Sequence, residues 1–314
     1  NGANTYAGLT TVSAGTLAVG SSGSLNSGND LNVGASGTAT FANVGQILGT
    51  VSNLNTAADS LHFTALTGTI TIDQLTGVGS TTFGSDATIT TGGITAGTIG
   101  VAGLLTSDIS GGTVNAGSLT AGSVTGGSNT ITGAAGITTV NGGTTTVGGV
   151  ATVATLTSGV VNFNGATSSI SALDGGTVNL GTTVLTVSGG TSSGAITGAN
   201  GSVVKDTSAV LTLNGASTYG GSTNVNAGVL VVNGSLTGNS AMTVDSGAAV
   251  AGDAGDITMA ANAALFLNGT LSVGNPALLA PVPSVLTITT SGTGGIIMGP
   301  DSFIRVDVFN TAGS

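Results

Sequence analysis

The sequence predicts an all-β fold, a parallel β-solenoid with about twenty residues in each coil. The first observation is an internal repeat: residues 1–19 and residues 214–232 are identical at twelve of nineteen positions. The second is that short runs such as TTVSAGTLAV alternate apolar with polar or small residues, as strands do. The third is that similar runs recur at intervals near twenty residues, since Val33 follows Val12 by 21 residues. Gly, Asn and Ser-Gly pairs between these runs are typical of turns.

The composition excludes several classes of protein. The 314 residues include 57 Gly, and charged residues make up 4% of the chain, against about 25% in ordinary globular domains. A chain that is 39% hydrophobic is not typical of disorder, and Gly does not recur at every third position as in collagen. Two cations, Lys205 and Arg305, are too few to bind nucleic acid or an anionic membrane. There is no Cys for disulfides, and no apolar run approaches the length of a membrane span.

A five-residue period distinguishes residues 87–124. Every fifth residue is aliphatic, eight times in succession, and a small residue lies two positions before each one. Neither a helix nor a simple strand has this period, so we interpret each pentad as one side of a four-cornered coil. The aliphatic residue and the small residue should both face the core, and Ile94 and Val114 should stack in adjacent coils. The pattern resembles that of pentapeptide-repeat proteins, which form right-handed quadrilateral β-helices, but it lacks their preference for Asn or Asp before the central residue.

Two segments resemble autotransporter-associated β-strand repeats. They are GANTYAGLTTVSAGTL at 2–17 and VVKDTSAVLTLNGASTYGGSTNVNAGVLVVNGSL at 203–236. Residues 274–308 resemble the segment that follows such repeats. The resemblance implies a right-handed parallel β-helix in the exported part of a large surface protein, without implying a particular activity. In the second segment the positions of the family pattern are held by Lys205, Leu211, Leu213, Thr218, Tyr219, Gly221, Val225, Gly228 and Leu230.

We expect residues 1–314 to form a single continuous β-helix segment of a longer protein. Residue 1 falls inside a repeat motif, and residue 314 follows directly on a strand-like run. The predicted sub-regions differ in their periodicity. They are repeat-type coils at 1–86, pentad-period coils at 87–124, degenerate coils at 125–202, and repeat-type coils with C-terminal strands at 203–314.

Few residues are candidates for chemistry. His62 alternates with Leu61 and Phe63, which predicts an outward-facing strand residue. Asp253 and Asp256 in AGDAGDIT resemble the Asp of calcium turns in β-rolls, but such turns work as arrays and here there is one copy, so loop residues are the favoured interpretation.

The C-terminal region holds a second group of candidates. Arg305 and Asp307 should share one face of a strand and form a surface ion pair. Asp301 is nearby, and Asp245 lies close in sequence to Asp253, but none of these pairs reproduces a catalytic paired-Asp motif.

Tyrosines, threonines and glycines also receive structural interpretations. Tyr6 and Tyr219 hold equal positions in the two repeats, which predicts aromatic residues packed at coil corners. The Gly-rich segments are not phosphate loops, because no Gly-Lys-Ser/Thr follows them. Threonine ladders on a flat β-helix face can bind ice, but the Thr-x-Thr patterns are irregularly spaced, which disfavours that role; they begin at Thr69, Thr88, Thr130, Thr155 and Thr287.

The sequence therefore favours a structural stalk or fibre segment of a bacterial exported cell-surface protein, with adhesion as a further option. We expect no catalytic residue, no cofactor and no metal site. A carbohydrate-active enzyme on the same fold, either a polysaccharide lyase or a glycosidase, is the alternative, and a receptor-binding adhesin is a third possibility. The expected partners are other copies joined end to end or neighbouring β-helix domains, because uncapped coils are open β edges. The sequence leaves open whether the chain binds a surface or carbohydrate ligand. We expect the protein to be anchored through a part that lies outside this chain.

Overall fold

The fold is a parallel β-solenoid, as predicted. A computed structural model describes residues 2–43, 46–64, 67–84, 86–273 and 285–305, and all regular secondary structure in these residues is β-strand. The solenoid has about 13 turns with roughly 19 residues per coil. The described residues therefore include no helix that could span a membrane. The chain forms two compact units, Asn1–Ala151 and Thr152–Ser314.

The described residues of the first unit form eleven strands that pair in parallel with strands of neighbouring coils. Apolar and polar residues alternate along them, because residues two apart in a strand share a face. The strands are β1 Thr10–Val19, β2 Asn29–Phe41, β3 Ile47–Asn53, β4 Leu61–Phe63, β5 Thr67–Thr76, β6 Ser80–Phe83, β7 Asp86–Ile94, β8 Thr98–Ile109, β9 Thr113–Val124, β10 Ser128–Ile131 and β11 Ala135–Val147.

The second unit holds the remaining strands. They are β12 Ala151–Phe163, β13 Thr167–Leu173, β14 Thr177–Leu180, β15 Val184–Ser192, β16 Ile196–Thr197, β17 Ser202–Lys205, β18 Val210–Leu213, β19 Ala216–Ser217, β20 Ser222–Val225, β21 Val229–Val232, β22 Ser235–Asn239, β23 Ala241–Val244, β24 Ala249–Gly252, β25 Gly255–Ala261, β26 Leu265–Leu267, β27 Thr270–Val273, β28 Leu286–Ser291, β29 Ile296–Met298 and β30 Phe303–Arg305.

From β17 to β28 each coil of the second unit has three strands on three sides, and β29 and β30 form two sides of the last described coil. The first strand of each coil pairs with the first strand of the next, in the series β17, β20, β23, β26 and β29. The second strands form the series β18, β21, β24, β27 and β30. The third strands form the series β19, β22, β25 and β28. Every pairing is parallel, so the backbone of one coil is satisfied by the coils next to it.

The pentad region is also three-sided, so the prediction of four-cornered coils is wrong. Ile94 pairs with Ile109, and Val114 pairs with Ile99. The offset of 15 residues shows that three pentads make one coil. Ile94 and Val114 therefore do not occupy one column of the core. The period of five gives the length of one side, but it does not determine how many sides close the coil.

The aliphatic residues of the pentads face the core, as predicted, but the small residues before them do not. All eight aliphatic side chains are buried, whereas Gly92 and Gly117 are half-buried and Gly122 is exposed. The second inward residue lies two positions after the aliphatic one, as at Val101 and Ala116, which are buried. The reason is that the strand continues beyond the aliphatic residue, and residues two apart on a strand share a face.

Glycines in the left-handed region of backbone space turn the chain at one corner of these coils. Gly97, Gly112 and Gly127 have φ angles of +88°, +78° and +79°, at intervals of one coil. They also stack closely, since a Cβ atom on Gly112 would lie 2.6 Å from the carbonyl oxygen of Gly97. Both the φ angle and the stacking distance therefore require glycine at this corner.

The core consists of columns of side chains, one from each coil. In the first unit Phe41, Phe63 and Phe83 form a stack with successive ring centroids 4.9 Å apart. This spacing matches the separation of about 4.8 Å between paired strands, so like side chains fall directly above one another. In the second unit Leu211, Leu230, Val250 and Leu271 form a comparable aliphatic column.

Candidate functional site: the buried polar cluster of the repeats

The second repeat places a lysine in the core of the solenoid. Lys205 ends β17, and its register places it between Val187 of the preceding coil and Val225 of the next. Its side chain is fully buried, in a column whose other members here are valines. A lysine is almost never fully buried without partners, so its hydrogen bonds decide whether the position is stable.

Backbone oxygens and a hydroxyl group satisfy this lysine. The Lys205 ammonium group donates to the carbonyl oxygens of Thr207 and Ala227, the latter at 3.1 Å, and to the Thr207 hydroxyl at 3.3 Å. The Thr207 hydroxyl donates in turn to the carbonyl oxygen of Ser188 at 2.6 Å. Ser188, Thr207 and Ala227 belong to three successive coils, so the cluster joins three coils at one corner.

The electrostatics of this cluster follow from its burial. Burial lowers the pKa of Lys205, because the charged form loses hydration, while the negative charge of Asp206 raises the pKa and partly opposes that effect. The ammonium group is surrounded by neutral oxygen acceptors, so the arrangement binds coils together.

A second buried cluster surrounds the tyrosine of the same repeat. The hydroxyl groups of Tyr219 and Thr223 are 2.8 Å apart, and the Thr223 hydroxyl donates to the side-chain oxygen of Asn239. The Asn239 amide donates back to the carbonyl oxygen of Tyr219 at 3.5 Å. Tyr219 is fully buried, and this burial raises its pKa well above the ordinary range. The cluster closes a coil corner with its polar groups paired.

The first repeat reproduces this arrangement with a more exposed tyrosine. The hydroxyl groups of Tyr6 and Thr10 contact each other, and the Asn29 amide donates to the carbonyl oxygen of Tyr6 at 3.0 Å. Tyr6 is nevertheless 40% exposed. The difference arises because Thr218 and Gly220, on either side of Tyr219, hydrogen bond to a preceding coil. Among the described residues, no coil precedes Tyr6. The predicted corner position of both tyrosines is therefore consistent with their contacts, and burial depends on the coil before them.

The repeats also share a glycine that turns the chain. Gly15 and Gly228 occupy equal positions in the two copies, and their φ angles are +76° and +70°. Residues with a Cβ atom adopt this region only at a cost of about 1–2 kcal/mol. The glycine of the repeat is therefore required by backbone geometry.

His62 lies where the sequence predicted. It sits in β4 between the buried Leu61 and Phe63, and it faces outward between Thr40 and Thr82 of the neighbouring coils. Its strand neighbours on both sides are hydroxyl residues, which do not assemble a triad or a metal site around the imidazole.

Asp253 lies in the turn before β25, and Asp256 is the second residue of that strand. The backbone N–H of Asp253 donates to the side-chain oxygen of Asn233 at 2.9 Å, and the Thr258 hydroxyl donates to the Asp256 carboxylate at 3.2 Å. Within the described ranges, no group of three or more His, Cys, Asp or Glu residues is arranged to hold a metal ion. Asp253 thus serves a turn contact through its backbone, and the Asp256 carboxylate serves a contact within its strand.

The C-terminal candidates are only partly described. Asp301 is exposed in the turn before β30, and Arg305 is exposed at the end of that strand. Asp307 lies outside the described residues, so the predicted ion pair between Arg305 and Asp307 stays a prediction. Asp245 lies just after β23, where its backbone accepts a turn hydrogen bond from Ala248 at 3.0 Å.

The threonines that the sequence singled out do not form one ladder. Thr69, Thr130, Thr155 and Thr287 lie on β5, β10, β12 and β28, and the side chain of Thr88 is outside the described set. Among these described threonines, Thr130 belongs to a regular column of outward side chains, since it pairs with Asn115 on one side and Thr146 on the other.

An open groove crosses one side of the first unit. It has a volume of about 490 Å³, and its lining includes Ile47, Thr71, Asp73, Thr90 and Gly92. Asp73 is the one carboxylate in the lining, and none of the lining residues is a cation. A glycosidase site needs two carboxylates that converge on the scissile bond, and this lining does not provide them.

Comparison with known proteins supports the repeat assignment. Residues 1–19 and 203–232 match the family described as passenger-associated-transport-repeat. Both segments are passenger-associated transport repeats. Together with the parallel solenoid, the repeats fit a passenger-type β-helix protein of the autotransporter kind, an exported protein of the cell surface. No curated protein and no solved structure matches the chain.

The geometry adds residues that sequence reasoning missed. Thr223 and Asn239 complete the tyrosine cluster, and Thr10 and Asn29 do so in the first repeat. The sequence did offer a signal for the threonines, because Thr10 and Thr223 hold equal positions in the two copies of the repeat. The asparagines follow at different intervals after the tyrosine, so aligning the copies does not pair them.

Proposed function

We propose that the chain is a structural, non-catalytic segment of a bacterial exported surface protein, acting as a stalk or fibre segment with an adhesive role. It would be held at the cell surface by another part of its parent protein. The observation that carries the proposal is that both passenger-associated transport repeats form part of the solenoid coils. The polar side chains of their lysine and tyrosine clusters hydrogen bond to residues of neighbouring coils. Polar residues that face inward and bond to other coils stabilise the solenoid, which is a structural role.

Hydrogen bonds between coils support a mechanical role as a stalk or fibre segment. The Lys205 cluster joins three coils, and the Tyr219 cluster joins two. Each adds to the parallel backbone ladder, so coils are expected to separate together. To test the surface location, antibodies against this segment should label intact cells of the source bacterium, and external protease should remove the labelling. Labelling that requires permeabilised cells would contradict the proposal.

The partner that we propose is a second solenoid end, either from another copy or from a neighbouring domain. Among the described residues, β29 and β30 have a partner strand on one side only, and their side chains are exposed, as at Met298, Phe303 and Ile304. An unpaired edge with apolar side chains is a template for strand addition. Sedimentation velocity should show association that grows with concentration and that Phe303→Lys weakens. A monomer at every concentration would contradict association between copies and would leave a neighbouring domain as the proposed partner.

The non-catalytic part of the proposal has its own test. The chain should be incubated with a panel of plant, bacterial and algal polysaccharides, and new reducing ends and unsaturated uronates should be measured. We expect no product above that of a heat-denatured sample. Product formation that persists through purification would favour the carbohydrate-active alternative.

A further inference from the structure

One outward side of the first unit carries two columns of small polar side chains, which we name the hydroxyl face. The strands β6, β8, β9, β10 and β11 each contribute one residue to each column. The first column contains Ser80, Thr98, Thr113, Ser128 and Thr144, and the second contains Thr82, Gly100, Asn115, Thr130 and Thr146.

The two columns form a regular lattice. Paired strands are separated by about 4.8 Å, and residues two apart on a strand by roughly 6.6 Å. The register runs from Ser80 to Thr144 in single steps, and the pairings on this side have no bulge. Eight of the ten positions carry a hydroxyl group, the exceptions being Gly100 and Asn115.

The central hydroxyl groups are available to bind an external partner. In the part of the chain that the structure describes, the hydroxyls of Thr98, Thr113 and Ser128 form no hydrogen bond to protein. A polar ladder in the second unit differs, because the Asn179 amide donates to Asn162 at 2.6 Å and Thr197 donates to Asn179 at 2.5 Å. That ladder satisfies itself, whereas the central residues of the first column leave their hydroxyl groups to their surroundings. At one end of the second column the Thr82 hydroxyl donates to the Asp59 carboxylate at 2.8 Å.

The hydroxyl face is rigid and its ten side chains are uncharged, with the Asp59 carboxylate in contact at its Thr82 end. Ile99, Val114, Asn129 and Thr145 lie between the two columns and point inward, where all four are buried. Groups held in place by a packed core lose little entropy on binding. None of the ten positions carries an ionised side chain, although the chain has a net charge of −10. Its partner should therefore be neutral, flat and periodic.

We propose that the hydroxyl face binds the surface of ice. The oxygen atoms of ice repeat along two directions of its prism plane at spacings similar to those between and along the strands here. Regular hydroxyl and methyl groups can hold water in that arrangement, so the face joins a growing crystal without first rearranging. This inference stands on the first unit alone and does not depend on the proposed stalk role.

The test is to grow ice in the presence of the full chain. Purified protein in a nanolitre osmometer should show faceted crystals and a gap between the melting and freezing temperatures. Thr113→Lys places a charged, longer side chain at the centre of the first column and should abolish most of that gap. Thr120→Lys is the matched control, because Thr120 is an exposed threonine of β9 outside both columns, and it should retain the gap.

Two results would overturn the proposal. One is ice that grows round and freezes at its melting point with the unchanged protein. The other is an equal loss of activity in Thr113→Lys and Thr120→Lys when circular dichroism shows both to be folded. If Thr113→Lys does not fold, Thr130→Lys tests the second column in the same way, and retention of the full gap in a folded Thr130→Lys protein would also contradict the proposal.

Discussion

The glycine at the corner of the pentad coils offers the sharpest test of the fold. Gly112 has a φ angle of +78°, and a Cβ atom there would lie 2.6 Å from the carbonyl oxygen of Gly97 and 2.8 Å from the carbonyl carbon of Ala96. Gly100, in the same coil, has no atom within 4 Å of its ideal Cβ position and no positive φ angle. The two glycines lie in the same coil but in different environments, so Gly112→Ala and Gly100→Ala form a matched pair.

The expected cost of Gly112→Ala has two parts. A left-handed φ angle costs a residue with a Cβ atom about 1–2 kcal/mol. Contacts below 3.0 Å with backbone atoms force the stacked corners apart, which costs about another 1–2 kcal/mol by comparison with overpacked cores. The sum is about 2–4 kcal/mol. Gly100→Ala should instead change stability by less than about 1 kcal/mol, in the stabilising direction, since it restricts the unfolded chain.

Urea unfolding followed by far-ultraviolet circular dichroism measures both variants. With an m-value of about 3 kcal/mol/M, the Gly112→Ala midpoint should fall by about 1 M while the slope is unchanged. The Gly100→Ala midpoint should stay level or rise. A Gly112→Ala protein with the midpoint of the unchanged chain would refute the left-handed corner. An equal fall of the midpoint in both variants would refute the claim that the cost is specific to the corner glycine.

Three further predictions concern the buried polar clusters. Because burial lowers the pKa of Lys205, the folded chain releases that proton before the unfolded chain does, so stability should rise with pH up to the ordinary lysine value of about 10.4. Urea midpoints of Lys205→Met should lack that rise, and identical pH profiles would contradict a buried ammonium group. Tyr219→Phe should cost about 1 kcal/mol by removing the hydrogen bond between Tyr219 and Thr223, which leaves the Thr223 hydroxyl with Asn239 alone, whereas Tyr6→Phe at the exposed copy should cost less than about 0.5 kcal/mol. Above pH 10 the unfolded tyrosine ionises while buried Tyr219 stays protonated, so stability should fall, and Tyr219→Phe should remove that component.

The sequence was sufficient to predict the parallel solenoid and the residues of its core. Alternation in short runs identified the strands, and the fifth-residue aliphatics identified the inward positions, because both signals depend only on which side chains share a face. The number of sides in a coil was not predictable in this way. A run of pentads is compatible with coils of three or four sides, and the choice depends on how the corner glycines and the core close together.

Two other features were hidden for physical reasons. The burial of Lys205 was not predicted, since lysines are seldom buried, and the carbonyl oxygens that accept its hydrogen bonds come from backbone that any sequence supplies. The hydroxyl face was hidden by variable coil length. Its first column is regular in space, but the sequence intervals between its members are 18, 15, 15 and 16 residues. Loops of unequal length absorb that variation, so a regular face arises from irregular spacing.

Deletion of a whole coil distinguishes the three-sided arrangement from the four-sided one. Removing residues 98–112 joins Gly97 to Thr113, which restores the corner that Gly112 and Thr113 form in the intact chain, because Thr98 and Thr113 are in register. That protein should keep its β-sheet circular dichroism and a cooperative urea transition, with a lower stability that reflects one lost coil. Removing residues 98–117 deletes four pentads, which a four-sided coil would tolerate, but here it moves every later side by one position and separates each core column. If the 20-residue deletion folds and the 15-residue deletion does not, the register of the pentad coils is wrong.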